Sequence, residues 1–127
     1  MEWTPIVDMA YDATITVGTE SGQTFTPTIQ LKDYAGNDLD VAASIIAYMA
    51  SDSTGLIPDA TITGEVALTS SGDGAVIVLL THCAYLLVSE AYGDIDLTIT
   101  DTGTGALYLV LVMPNGKLVV SGAMTFT

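Results

Sequence analysis

Short apolar stretches alternate with threonine and aspartate along most of this chain. Ala13, Ile15 and Val17 alternate with Thr14 and Thr16. That period of two sets one side of a strand in a core and the other in water. Phe25, Pro27, Ile29 and Leu31 share one face of a second run, from about Gln23 to Lys32, with four threonines or glutamines and Lys32 opposite. Pro27 has no N–H to give a ladder, so it predicts an edge or a bulge there. Ile95, Leu97 and Ile99 alternate with Asp94, Asp96, Thr98 and Thr100 in the same way.

Other runs are apolar on both faces. Ala43 to Ala50 carries Ile45, Ala47 and Met49 on one side and Ile46 and Tyr48 on the other. It reads as a central strand covered on both sides, or as a short helix, since short apolar runs do not separate the two. Ala75–Leu80, Ala84–Glu90 and Ala106–Met113 are similar, and a weaker pair falls at 60–63 and 65–69. Turn chemistry punctuates them: Glu20-Ser21-Gly22, Asp33 to Asp38, Ser51 to Pro58, Ser70 to Gly74, Ala91 to Asp94 and Pro114 to Lys117. Asn115-Gly116 between two strand-like runs is a strong hairpin signal, with Leu118 to Phe126 returning.

The pattern predicts an all-β, antiparallel β-sandwich, Ig-like, of about eight or nine strands closed by a C-terminal hairpin. Residues 1–12 read as an N-terminal arm and 13–127 as the domain. The expected core draws on Ile29, Leu31, Tyr48, Leu97, Ile99, Tyr108, Val110, Val112 and Val119.

Composition narrows the function classes. The chain has 127 residues, half of them hydrophobic and 13% charged, which suits one folded domain rather than a disordered segment. Fifteen acidic residues face two lysines and no arginine, for a formal charge of −13. Nothing could release counterions from a phosphate backbone, so no nucleic acid is expected as a partner. Anionic lipid is disfavoured equally, and no run approaches the roughly 18 apolar residues of a membrane span. The acidity either keeps an apolar chain soluble or complements a basic partner. Met1–Ala10 lacks the basic and long apolar regions of a secretory signal. With Cys83 the single cysteine, folding in a reducing cytoplasm is the expectation.

Candidate chemistry is sparse. His82 and Cys83 are neighbours, so in an extended segment they face opposite ways and cannot form a nucleophile–base couple. They read as a turn histidine and a half-buried cysteine. Asp94 with Asp96, and Asp38 with Asp40, could share a face, but both pairs sit at turn–strand junctions where aspartate serves the backbone. Gly93-Asp94-Ile95-Asp96 and Asn37-Asp38-Leu39-Asp40 offer oxygens for calcium without matching a calcium-loop spacing. Gly103-Thr104-Gly105 enters a strand rather than a helix, unlike a phosphate loop. One Cys and one His do not make a zinc site. The expectation is no enzyme, no catalytic residue, no metal and no cofactor.

Gln30-Leu31-Lys32-Asp33-Tyr34-Ala35-Gly36-Asn37-Asp38-Leu39 resembles a turn of the small Ig-like β domains of tailed-phage virions, where an LKD-x-x-G-N turn closes an early strand. Ala47-Tyr48-Met49-Ala50-Ser51-Asp52 resembles the strand that follows it there. The similarity continues through Ser89–Leu97 and Leu109–Leu118. The resemblance implies a virion structural protein, most like a head decoration (cement) protein on the capsid exterior, with the major capsid protein as partner. The alternative it leaves open is an Ig-like module of a tail or fibre touching a host surface. A capsid binder of this kind is expected to be a homo-oligomer, trimer or dimer. Trp3, Ile6 and Val7 of the arm are candidate interface residues, since buried aromatic anchors dominate many interfaces; Trp3 capping the domain's own core is the competing reading.

Overall fold

A computed structural model describes residues 9–127. Trp3, Ile6 and Val7 lie outside the described residues. The chain is an antiparallel β-sandwich of two sheets. The first sheet holds β1 (Asp12–Thr16), β2 (Thr24–Phe25), β3 (Thr28–Lys32), β5 (Ala67–Leu68) and β8 (Asp94–Thr100). Its order is β1-β3-β8-β2, with β5 also on β8. The second holds β4 (Ser44–Ala50), β6 (Ala75–Leu80), β7 (Ala84–Val88), β9 (Gly105–Val112), β10 (Leu118–Val120) and β11 (Met124–Phe126). Its order is β10-β9-β4-β7-β6, with β11 on β9. No helix among the described residues is long and apolar enough to cross a membrane.

The run 43–50 is therefore a strand, and a central one, between β9 and β7. The early run 23–32 forms β2 and β3 in one register: Phe25 pairs with Ile99 and Thr28 with Asp96. Pro27 accepts the Leu97 N–H at 3.0 Å and has none to return, so the ladder thins without a bulge. Of the weak pair at 60–69 only β5 forms, yet the loop before it delivers Ile62 and Val66 to the core. β1 opens at Asp12, Tyr11 donates to the Lys32 carbonyl at 2.9 Å, and Ala10 is buried. Residues 10–12 of the expected arm thus pack with the sandwich.

One turn recurs three times, in Asp33–Asn37, Glu90–Asp94 and Met113–Lys117. The fourth residue, a glycine, donates back to the first carbonyl (3.1, 3.0 and 2.8 Å), and the first N–H donates to the fifth carbonyl. This is a type I turn followed by a left-handed residue, a three-residue hairpin loop. At Gly93, φ is +79°, and a Cβ would lie 2.8 Å from the Leu39 Cβ. Both the backbone and the space there require glycine.

The core is the layer between the sheets. Ile29, Leu31, Ile95, Leu97 and Ile99 enter from the first sheet; Ala47, Met49, Tyr85, Leu87, Leu109 and Leu111 enter from the second. Phe25 and Phe126 close one part of it edge to face, centroids 5.0 Å apart. The returning run after the C-terminal turn splits in two. Val119 pairs with Leu111, but Met124 pairs with Leu107, a register shift of one. At the break Leu109 donates its N–H to the Ser121 hydroxyl, and Ser121 donates its own to the Leu109 carbonyl, both at 2.9 Å. The extra residue flips parity, so that Met124 and Phe126 as well as Val119 face inward.

Four expected core residues lie on the other face of the second sheet. β9 turns Leu107, Leu109, Leu111 and Met113 inward, so Tyr108, Val110 and Val112 point away from the core, as does Tyr48 on β4. Val110 is nonetheless fully buried, because the 51–58 loop lies over it. An unbroken apolar run carries no alternation to mark its inner face.

Replacing Gly93 with alanine should cost roughly 1–3 kcal/mol, the scale of an enforced left-handed residue plus a clash. Urea unfolding of the variant checks this, and an unchanged midpoint would show that the turn relaxes freely.

Candidate interaction face

The six strands of the second sheet contain no Asp, Glu, Lys or Arg, in a chain of net charge −13. The first sheet carries Asp12, Lys32, Asp94 and Asp96 within its strands. The remaining charges of the described residues sit in loops and turns. The strands on that side of the sandwich thus carry none of the charge of the chain.

Register turns that side into a continuous surface. Ile77 pairs with Leu86, Leu86 with Ile46, Ile46 with Val112, and Val112 with Leu118. Directly paired residues share a face, so these five aliphatic side chains form one row across five strands. The opposite partners Leu87, Ile45 and Leu111 are buried in the core, which places the row outside. A shallow depression beside it is lined by Ser44, Ile46, Leu86, Val112, Met113 and Pro114.

The neighbouring row is treated differently. Gly55, at the centre of the 51–58 loop, sits on Val110 and Val120, where even an added methyl would meet them at 3.1–3.2 Å. Tyr48 donates its hydroxyl hydrogen to the Gly55 carbonyl. The loop is held by Asp52, whose carboxylate accepts from the N–H groups of Leu56 and Ile57 and from the Thr54 hydroxyl. These bonds, the Thr54 hydroxyl first, hold the Asp52 carboxyl below its ordinary range. The loop covers Val110, Val120 and Tyr48; along the Ile77–Leu118 row Ile77 and Ile46 are exposed and Leu86, Val112 and Leu118 half-buried, and Leu56 and Ile57 are exposed on the crest of the loop.

The chemistry-bearing residues gather elsewhere and serve structure. His82 lies in the β6–β7 turn at φ +63°, as the sequence pattern predicts, whereas Cys83 is buried rather than half-buried. Glu65 accepts the His82 N–H at 2.6 Å and lies 3.0 Å from His82 Nδ1. Tyr85 accepts the Val66 N–H at 3.3 Å and donates to Glu65 at 3.4 Å; burial first, then the nearby Glu65 charge, push its hydroxyl up to about 12. A phenol held that far above neutrality is a fixed donor that ties the 60–66 loop to β7. Asp101 accepts the Gly103 N–H at 3.0 Å, so a carboxylate occupies the place where a phosphate loop would present its donors.

Asp38 pairs with Lys32. Lys117, beside the C-terminal turn, is 3.0 Å from Asp12. Asp96 is instead brought together with Asp73 and Glu90, a grouping that sequence spacing does not reveal. Sharing a hydrogen bond with Asp94 raises the Glu90 carboxyl, and burial followed by the Asp73 and Asp94 charges raises Asp96. The three acidic side chains repel one another, and this is a cost to the fold at neutral pH.

No family model matches this chain, and no curated protein matches it in sequence. Among solved structures it is similar to a cohesin module from a Clostridium perfringens ATCC13124 family 33 glycoside hydrolase. The TM-score is 0.43 at 12% identity, covering 92% of this chain and 93% of that one. A likeness at that level bears on neither partner nor activity.

The carboxyl shifts set an expected pH profile. Glu90 and Asp96 have folded pKa values above their ordinary 4.5 and 3.8, so the fold gains protons more readily than the unfolded chain. Stability should therefore rise as pH falls from 7 towards those values. Asp12, Glu20 and Asp52 are shifted down; their contribution is present above their ordinary 3.8 or 4.5 and is lost as pH falls through their lower folded values. Thermal melts should show a maximum near about pH 4–5. Asp96→Asn should raise Tm at pH 7 and shrink the rise on acidification. A variant whose profile overlays the unmodified one would show that the three carboxylates do not interact.

Proposed function

We propose that this chain is a structural protein of a tailed-phage virion that decorates the outside of the head shell and acts by binding, not by catalysis. The single observation that carries the reading is the open aliphatic row from Ile77 to Leu118, on a sheet free of charge in an otherwise acidic molecule. A surface that is to be dried by a partner cannot hold unpaired carboxylates, because each would lose its water without compensation. Contiguous apolar surface of this kind marks contact sites. The motif resemblance at Gln30–Leu39 and Leu109–Leu118 supplies the class of partner, a capsid subunit.

In this reading the acidic side faces solvent and keeps decorated particles dispersed. Trp3, Ile6 and Val7 of the N-terminal segment add an anchor to the shell. Because Ala10 and Tyr11 belong to the sandwich, a truncation that tests the anchor should stop at Asp8.

Electron cryomicroscopy of particles from a tailed phage carrying this gene should find the chain as repeated density on the shell. Finding it on the tail or a fibre would favour the alternative Ig-like module, and its absence from purified particles would overturn both. Ile46→Asp combined with Val112→Asp should weaken binding to shells at least tenfold, about 1.4 kcal/mol, with circular dichroism unchanged. Undiminished binding would move the contact away from this sheet.

A further inference from the structure

We propose that a second copy of this chain pairs with the free edge of β6, antiparallel, across a twofold axis. Among the described residues β6 ends its sheet, with β7 on one side and no strand on the other. Its sequence, Ala75-Val76-Ile77-Val78-Leu79-Leu80, holds no charge, proline or glycine. Edge strands that must stay single are shielded by such residues, above all lysine. Here the side chains that a neighbour would cover are open: Ile77, Val78, Leu79 and Leu80 are 50, 45, 54 and 58% exposed. The single irregularity, between Val78 and Leu80, leaves Ala75–Val78 regularly paired with β7 and the outer edge of those residues straight.

Charge selects the second copy's direction. Asp73, Glu90 and Asp96 cluster at the start of β6, where Ala75 pairs with Val88. At its far end stands the Thr81-His82 turn, whose nearby Glu65 is engaged by His82. A parallel neighbour would stack two acidic clusters on each other. An antiparallel one sets them at opposite ends, roughly 20 Å apart for six residues of strand and beyond the screening length of about 8 Å at physiological salt. Each cluster then lies beside the partner's Thr81-His82 turn, where one carboxylate, Glu65, accepts the His82 N–H, in place of a second cluster of three. The same operation joins the two second sheets edge to edge, with both Ile77–Leu118 rows on one side. The dimer would offer a binding surface twice as wide as the monomer's.

Sedimentation and light scattering should give a dimer whose Tm rises with protein concentration. Ile77→Lys with Leu79→Lys should give a monomer at concentrations where the unmodified chain is dimeric. Variants with one added cysteine at position 75, 76, 77, 78 or 80, oxidised in solution, test the geometry even where the lysine pair fails to fold. Antiparallel pairing predicts crosslinking at 76, 77 or 78 and none at 75 or 80, with the unmodified chain and its buried Cys83 uncrosslinked. A monomer at all concentrations, a trimer, crosslinks at all five positions, or dimers indifferent to the lysines would each overturn the proposal.

Discussion

Two sheets can share one core only if each strand turns its apolar positions towards the other sheet, and the period of two leaves no freedom in how this is done. Ile29, Leu31, Ile95, Leu97 and Ile99 obey by simple alternation, opposite Ala47, Met49, Leu87, Leu109 and Leu111. Where the chain would fall out of step it inserts a residue. The shift at Ser121 lets Val119 and Met124 both face inward, and the serine's side chain and backbone take up the two Leu109 groups that the ladder would otherwise leave unpaired. A buried amide without a partner would cost on the order of 1–3 kcal/mol, so the placement of that hydroxyl and the parity of the last strand are one solution.

What was legible in the sequence follows from this constraint. Strands that alternate with threonine or aspartate declare their inner face, and β1, β3 and β8 are oriented as their pattern predicts. Turns whose glycine must be left-handed announce themselves, as Gly36, Gly93 and Gly116 do. Pro27 announces its missing donor. The strands of the second sheet give no such sign, because their outer faces are apolar too. Tyr108, Val110 and Val112 look as core-like as Leu107, Leu109 and Leu111, and only the pairing with β4 separates them. Likewise the approach of Asp73 to Glu90 and Asp96 depends on how the Ser70–Gly74 turn meets β7 and β8, a contact that no local pattern encodes.

The second sheet's lack of charge was present in the sequence all along, as the uncharged segments 43–51, 74–89 and 102–116. Read one strand at a time, each segment suggests burial. Brought together by the sheet order, they form a single face, part of which is covered by the chain's own 51–58 loop. That loop shows how the fold treats apolar surface that is to remain internal: a glycine lies flat on Val110 and Val120, and a tyrosine hydroxyl pins it. The Ile77–Leu118 row has no such cover among the described residues, although the same loop runs beside it.

An exposed apolar row is costly in isolation, since it keeps several aliphatic side chains in contact with water, each forgoing up to about 1.5–3 kcal/mol of burial. The acidic surface elsewhere offsets the consequence rather than the cost: it limits indiscriminate association through long-range repulsion while leaving the row available to a partner that approaches from that side. Specificity then comes from geometry. A partner must match a flat, charge-free surface bounded by the 51–58 crest at one flank and by the acidic cluster near the start of β6 at another. A second copy satisfies the edge by offering the same strand reversed. A shell subunit satisfies the face by offering apolar surface without carboxylates. The two contacts meet at Ile77, where the row reaches the β6 edge; the second copy would take the backbone edge and the β6 side chains, and the shell subunit the rest of the row on β7, β4, β9 and β10.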